Sequence, residues 1–261
     1  MRLFFPPFLL FLFLSGCSQR SDSTSLLADI SPEAMRANQA ERTSAFDALV
    51  GRGIVEFQWV DDNGKHKEQG DLDFWKQGDS ISLRISKLGE LLIWFGGDTK
   101  GNWFFDLSGD ETTLALNSGV AMFSDITTAL VLLGLAPLPQ GETNVSGGVV
   151  TVVEDDGKVW TATFDKVTHR PLEMSVADGK HISSSLHRTG INVEIENRHE
   201  LYWPVTGGLV DFEDSRGLTK IKISFSSLST NVSQEPMGRV LDLSYLQKAL
   251  KPVRTEGLIN D

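Results

Sequence analysis

One cysteine, two tyrosines and no Lys/Arg cluster in 261 residues leave this chain few of the usual chemical tools. A single cysteine excludes an internal disulfide framework and any Cys-based metal centre. The formal net charge of -11, with no basic patch to offset it, excludes the cationic face that nucleic acid requires. The histidines His66, His169, His181, His187 and His199 show no His-Glu-x-x-His or comparable ligand spacing, so neither metal nor cofactor is expected. There is no Gly-x-Ser-x-Gly elbow and no phosphate-cradling glycine loop, so no nucleophile–base pair and no catalytic residue can be named. Asp61-Asp62-Asn63-Gly64 and Glu154-Asp155-Asp156-Gly157 lack the calcium loop with its terminal Glu and read as turns. The one long apolar run, Leu3 to Leu14, is about a dozen residues, too short to cross a bilayer.

What is present is a succession of greasy strands. From Gly53 to Leu116 large apolar residues recur at alternate positions: Val55, Phe57 and Trp59; Leu72 and Phe74; Ile81, Leu83 and Ile85; Leu91, Ile93 and Phe95; Trp103, Phe105 and Leu107; Leu114 and Leu116. Alternation at period two sends each row to one side of a strand. The gaps hold turn residues, Asp61 to Gly64, Lys76 to Asp79, Gly96 to Asp98 and Ser108 to Asp110, and short gaps imply antiparallel neighbours. The spacing predicts a curved meander with an aromatic-rich concave face.

Helices flank it. Ser31-Pro32-Glu33 is a helix start, with Ser31 as N-cap, and the helical period through Met35, Ala45, Phe46, Leu49 and Val50 predicts a helix ending at Gly51. After the meander, Ser124 to Leu135 predicts a very apolar helix with Ser124 as cap, Ile126, Leu130 and Leu133 as its stripe, and Gly134 and Pro137 as its stop. Strands are then expected at Val149–Val153, Val159–Phe164, Leu172–Val176, Ile182–Leu186, Ile191–Ile195, Leu201–Trp203, Leu209–Phe212 and Thr219–Phe225, with a short helix from Val240 to Leu250. No Pro, Gly or Ser-rich linker divides the chain, so one domain is expected over residues 31–250, followed by a loose tail, 251–261.

The N-terminus carries a membrane signal. Arg2 precedes the apolar run, which ends in Leu14-Ser15-Gly16-Cys17. That resembles the lipobox of bacterial lipoproteins, and the only cysteine falls at the position it requires. The resemblance implies a signal peptide over residues 1–16, removed before Cys17, and acylation of Cys17. Two or more acyl chains anchor a protein stably, at about 0.8 kcal/mol per buried CH₂. Residues 17–30 then form a small, polar, flexible tether. Ser18 after the cysteine is compatible with export to the outer membrane, facing the periplasm.

The order lipobox, helix, six-strand meander, apolar helix ending Gly134-Leu135-Ala136-Pro137-Leu138-Pro139, then Phe164-Asp165-Lys166-Val167-Thr168-His169-Arg170-Pro171-Leu172 running into Val176-Ala177-Asp178-Gly179, resembles the LolA/LolB family of lipoprotein carriers. That resemblance implies a mainly β, open antiparallel half-barrel of about eleven strands with helices covering the concave face. It implies a monomeric, non-enzymatic, chaperone-like carrier in lipoprotein transport, whose cavity accepts the acyl chains of lipids or lipoproteins. A membrane-anchored member is closer to LolB, which bears an exposed apolar residue on an early turn. Lys87-Leu88-Gly89 is the nearest match, with Leu88 in that role.

Candidate lining residues for such a cavity are Phe57, Phe74, Leu83, Ile85, Leu91, Ile93, Trp94, Phe95, Trp103, Phe105, Leu130, Leu133, Trp160 and Met174. Acyl-binding pockets are mostly apolar with few polar groups. The same residues equally describe a packed core. Under that alternative the chain is a structural or interaction lipoprotein that docks other envelope proteins and holds no ligand.

Overall fold

A computed structural model describes residues 31–61, 64–117, 126–146, 148–164, 171–177, 181–187, 193–194, 207–214 and 217–257. The lipobox with Cys17, the tether, Ser124, the strand expected at Leu201–Trp203 and the segments 165–170 and 178–180 lie outside them.

Helix α1 spans Pro32–Ser44. As expected, Ser31 caps it, its hydroxyl accepting from the Ala34 amide at 3.2 Å, and Pro32 occupies the first turn. The helix ends earlier than its period predicts. Strand β1 is Ala48–Asp61, so Leu49 and Val50 belong to the sheet, with Val50 opposite Trp75. Three apolar residues at 46, 49 and 50 satisfy a helical period, but pairing with a neighbouring strand satisfies the backbone as well and buries Leu49 fully.

The meander follows as β2 Gly64–Gln77, β3 Ser80–Lys87, β4 Glu90–Asp98, β5 Gly101–Asp106 and β6 Thr113–Leu116. Helix α2 is Ile126–Leu132. It stops in a Schellman arrangement: Leu135 N–H donates to Leu130 O, Gly134 N–H donates to Val131 O, and Gly134 takes φ 69°. Strands β7 Glu142–Ser146, β8 Val149–Val153, β9 Val159–Phe164, β10 Pro171–Ala177, β11 His181–His187, β12 Val193–Glu194, β13 Gly207–Asp214 and β14 Gly217–Ser229 complete the second half. The helix expected from Val240 to Leu250 is α4, Leu243–Leu250, capped by Asp242 at ψ 105°, and an unexpected helix, α3 Gln234–Leu241, precedes it. Strand β15, Arg254–Glu256, lies inside the expected loose tail and pairs in parallel with β6.

All fifteen described strands form one sheet, in the order β15-β6-β5-β4-β3-β2-β1-β14-β13-β11-β10-β9-β8-β7, with β12 beside β14. The count exceeds the eleven or so that the resemblance implies, β12 and β15 being short additions. Pairings are antiparallel except β12 with β14 and β15 with β6. The two ends, β15 and β7, do not meet, so the sheet is open. One apolar cluster joins side chains from β3, β8, β9 and β14 with α2. Strands that far apart in the order share a core only if the sheet bends around the helix. A bulge at Arg52/Gly53 assists the bend, and only glycine fits there, since a Cβ on Gly53 would lie 2.1 Å from the Ser224 carbonyl oxygen.

Candidate functional site

The interior of the half-barrel is built almost wholly from hydrocarbon. Phe74, Leu83, Ile85, Phe95, Trp160 and Met174 project from the strands, Leu130 from α2 and Leu133 from the turn that follows it, into one buried cluster, with Phe57 and Ile93 packed at its margin. Ile126, Ala129, Leu130, Val131, Leu132 and Leu133 are all buried. Of the α2 residues only Thr127 is exposed, and a helix with so wide an apolar face sits against protein nearly all round, within the bend.

The remaining candidate lining residues are elsewhere. Leu91, Trp94, Trp103 and Phe105 belong to a second cluster on the opposite face, beneath α3 and α4, where Leu246 is the buried contact. Two local features set this division. Between β3 and β4 the register shifts, so Ile85 faces Ile93 while Ser86 faces Leu91. Leu91 thereby joins the side of Trp94 rather than that of Ile93. On β5 the interior residue is Phe104, opposite Phe95, whereas Trp103 pairs with Gly96. Gly96 and Gly97, expected in a turn, are strand residues. A Cβ on Gly96 would meet the Trp103 ring at 2.3 Å, so the glycine leaves the space the indole fills. Both faces of β5 are apolar, so alternation alone cannot tell inside from outside.

The outer face carries its own order. Trp94 Nε1 donates to Ser82 Oγ at 2.8 Å, the Trp75 and Trp94 rings stack at 6.3 Å, and Arg84 lies over both while pairing with Asp73 at 2.5 Å. Next to α4, a separate surface pocket of about 340 Å³ is lined by Asp98, Asn102, Trp103, Asn117 and Asp242 among others. Neither feature opens into the interior cluster.

Helix α1 crosses the mouth of the second half. Arg36 ties its first turn to the segment before β7, donating to Pro139 O at 2.8 Å, Gly141 O at 2.9 Å and the Thr143 hydroxyl. Its far end is held by Lys76, whose ammonium donates to Phe46 O at 2.9 Å and Gly78 O at 2.7 Å. Burial pushes the Lys76 ammonium below the ordinary lysine range, with Asp47 and Asp79 opposing that in part. The buried face of α1 is Met35, Gln39, Arg42 and Thr43. Arg42 is 1 % exposed, and among the described residues its side-chain hydrogen bond runs from Nη2 to Gln39 Oε1 at 3.1 Å. Burial alone lowers the guanidinium to about 10. Sequence reading missed Arg42; the available signal was a charge in phase with Met35 and Gln39 on the inner stripe.

At the β3–β4 hairpin, Lys87 pairs with Glu90, leaving Leu88 and Gly89 as a two-residue turn. Both have positive φ, 56° and 87°, the arrangement of a type I′ turn. Leu88 is 97 % exposed. Among the described residues no group of His, Cys, Asp and Glu is placed to hold a metal, and no helix is long and apolar enough to cross a membrane.

The bent open sheet with an apolar helix in its hollow can be compared with solved structures. A LolA superfamily protein from Nitrosomonas europaea superposes with a TM-score of 0.50 at 11% identity, covering 84% of this chain and 100% of its own. The two share a fold, a large open antiparallel sheet with helices against it. A DUF1329 family protein from Desulfovibrio piger matches this LolA-like fold equally, with a TM-score of 0.50 at 15% identity over 84% of this chain and 98% of its own. No family model matches the sequence, and no curated protein does.

Proposed function

We propose that this protein is a lipid-anchored carrier or receptor of the bacterial envelope that takes acyl chains into the hollow of its half-barrel. The observation that carries the reading is α2, a helix buried at every residue but Thr127 inside an unclosed sheet, where apolar side chains of the helix occupy space that acyl chains would suit. An acyl chain exchanging for α2 loses contact with water at roughly 25 cal/mol per Å², with little directional chemistry. The protein then acts by burial and release, without catalysis. Cys17 would moor the molecule to the membrane, in the outer membrane facing the periplasm, and Leu88 at the hairpin tip would touch the membrane or the donor protein from which cargo passes.

Native mass spectrometry of protein extracted from membranes tests this: a co-purified lipid or lipoprotein is expected, and a consistently empty protein would sink the idea. The anchor has its own test. Cys17→Ser should move the protein from the membrane fraction to the soluble one, and failure to shift would remove the lipobox reading.

A second reading has one observation in its favour. Phe74, Leu130 and Trp160 are at most 1 % exposed, as the side chains of a filled core would be. A structural lipoprotein that never releases α2 would look the same at rest. It would bind no lipid under the conditions above and would instead retain a stable envelope partner after crosslinking.

A further inference from the structure

Arg42 is the one described residue whose chemistry does not match its place. Its Nε and Nη1 have no hydrogen-bond partner and no access to water. Met35, one helical repeat earlier on the same buried stripe, belongs to the interior apolar cluster, so Arg42 lies on the helix face turned toward the proposed acyl site. Buried charges in proteins are paired, because removing a charge from water without compensation is among the largest penalties folding can incur. Lysine can escape that penalty by losing its proton, but arginine stays charged. A folded protein that keeps an arginine here has an unused anion-binding group facing oil. We infer that Arg42 receives the anionic headgroup, carboxylate or phosphate, of an amphiphile whose acyl chain lies among the apolar side chains of the half-barrel. This rests on the carrier reading above and narrows its ligand from acyl chains in general to anionic amphiphiles. The unpartnered Nη1 would donate to the headgroup while Gln39 Oε1 accepts from Nη2 and holds the guanidinium in place.

The experiment measures equilibrium binding of labelled palmitate and of methyl palmitate, which share a chain and differ in charge, to full-length protein extracted from membranes and stripped of lipid. Wild type is expected to bind palmitate at least tenfold tighter than the ester. Arg42→Met should abolish the difference by weakening palmitate alone, and Arg42→Lys should restore part of it. A parallel arm compares lysophosphatidic acid with the monoacylglycerol of the same chain. Preference in that arm alone identifies phosphate as the headgroup, and preference in the palmitate arm alone identifies carboxylate. Acid and ester binding equally to wild type in both arms would overturn the inference while leaving the carrier intact. Binding of neither member of either pair would sink the carrier reading itself.

Thermal denaturation separates ligand from an internal partner. Lipid-free Arg42→Met is expected to melt above wild type, because an unpaired charge has been replaced by an apolar side chain of similar length. If instead the carboxylate of Asp125, adjacent to α2 in sequence and outside the described residues, neutralises Arg42, then Arg42→Met and Asp125→Asn would both melt lower, and the inference fails. The wild-type comparison of acid with ester decides the matter even if the variants do not fold.

Discussion

Leu88 combines two features that folding alone disfavours. Its φ of 56° is a conformation where a Cβ costs about 1–2 kcal/mol, and its side chain is 97 % exposed. Asparagine suits the first position of a type I′ turn far better. Leu88→Asn is therefore expected to stabilise the protein by about 1 kcal/mol, seen as a rise in the denaturant midpoint. Under the proposed role it should at the same time slow lipid transfer to vesicles. A variant that gains stability and keeps its transfer rate would strip Leu88 of function. Gly96 is the converse case, a residue set by packing. Its missing Cβ leaves room for the Trp103 indole, and the Ile81 carbonyl oxygen lies 2.7 Å from where the Cβ would be. Gly96→Ala should cost about 1–3 kcal/mol and alter the near-ultraviolet circular dichroism of the tryptophans, with lipid binding retained once the protein folds.

Elements repeat the contrast between what alternation announces and what contact decides. The strands of the meander are legible because Leu72, Ile81, Leu83 and Ile85 alternate with polar neighbours over turns of Gly and Asp. The capped start of α1 is equally legible, since Ser31 and Pro32 act through local geometry alone. Strand β7 is not, because it is an edge strand whose only large apolar residue is Val145. Strand β15 is invisible for the same reason, all three of its residues being exposed; among the described residues it is held to the fold by the backbone ladder with β6. The division of the candidate site into two faces was also beyond reach of pattern. Trp103 and Phe105 look like core from spacing, and they are core, but of the outer cluster under α4. Arg42 escaped because a charge on an inner stripe reads as noise until its burial is known. The weak tie of β15 yields a prediction at this scale. Truncation after Lys251 should leave the melting temperature nearly unchanged, since the one apolar side chain lost from the described residues besides Pro252, that of Val253, is 65 % exposed. It would bare the edge of β6, and unpaired edges template association. Light scattering should show increased self-association; a truncated protein that stays monodisperse would mean that β6 is protected in another way.

At the scale of the whole molecule, function depends on whether the hollow can exchange its contents. Helix α2 is short, and a helix of this length is marginal in water without tertiary contacts. Its hold therefore comes from burial and from its Schellman stop, in which Gly134 alone adopts a left-handed conformation at φ 69°. Gly134→Ala places a Cβ in that conformation and should weaken the stop by about 1 kcal/mol. If α2 is the displaceable content of the half-barrel, the variant should load labelled fatty acid faster than wild type. A protein that binds ligand only when folded also gains stability by mass action, about 2.7 kcal/mol at a free ligand concentration of 100 Kd. Loaded wild type should consequently melt higher while the amides of 126–132 exchange hydrogen faster, because the ligand stabilises the sheet and takes the place of the helix. Those two shifts have opposite signs in one sample, which a tightened, permanently filled core cannot produce: there, any additive that raised the melting temperature would slow exchange at α2 along with everything else.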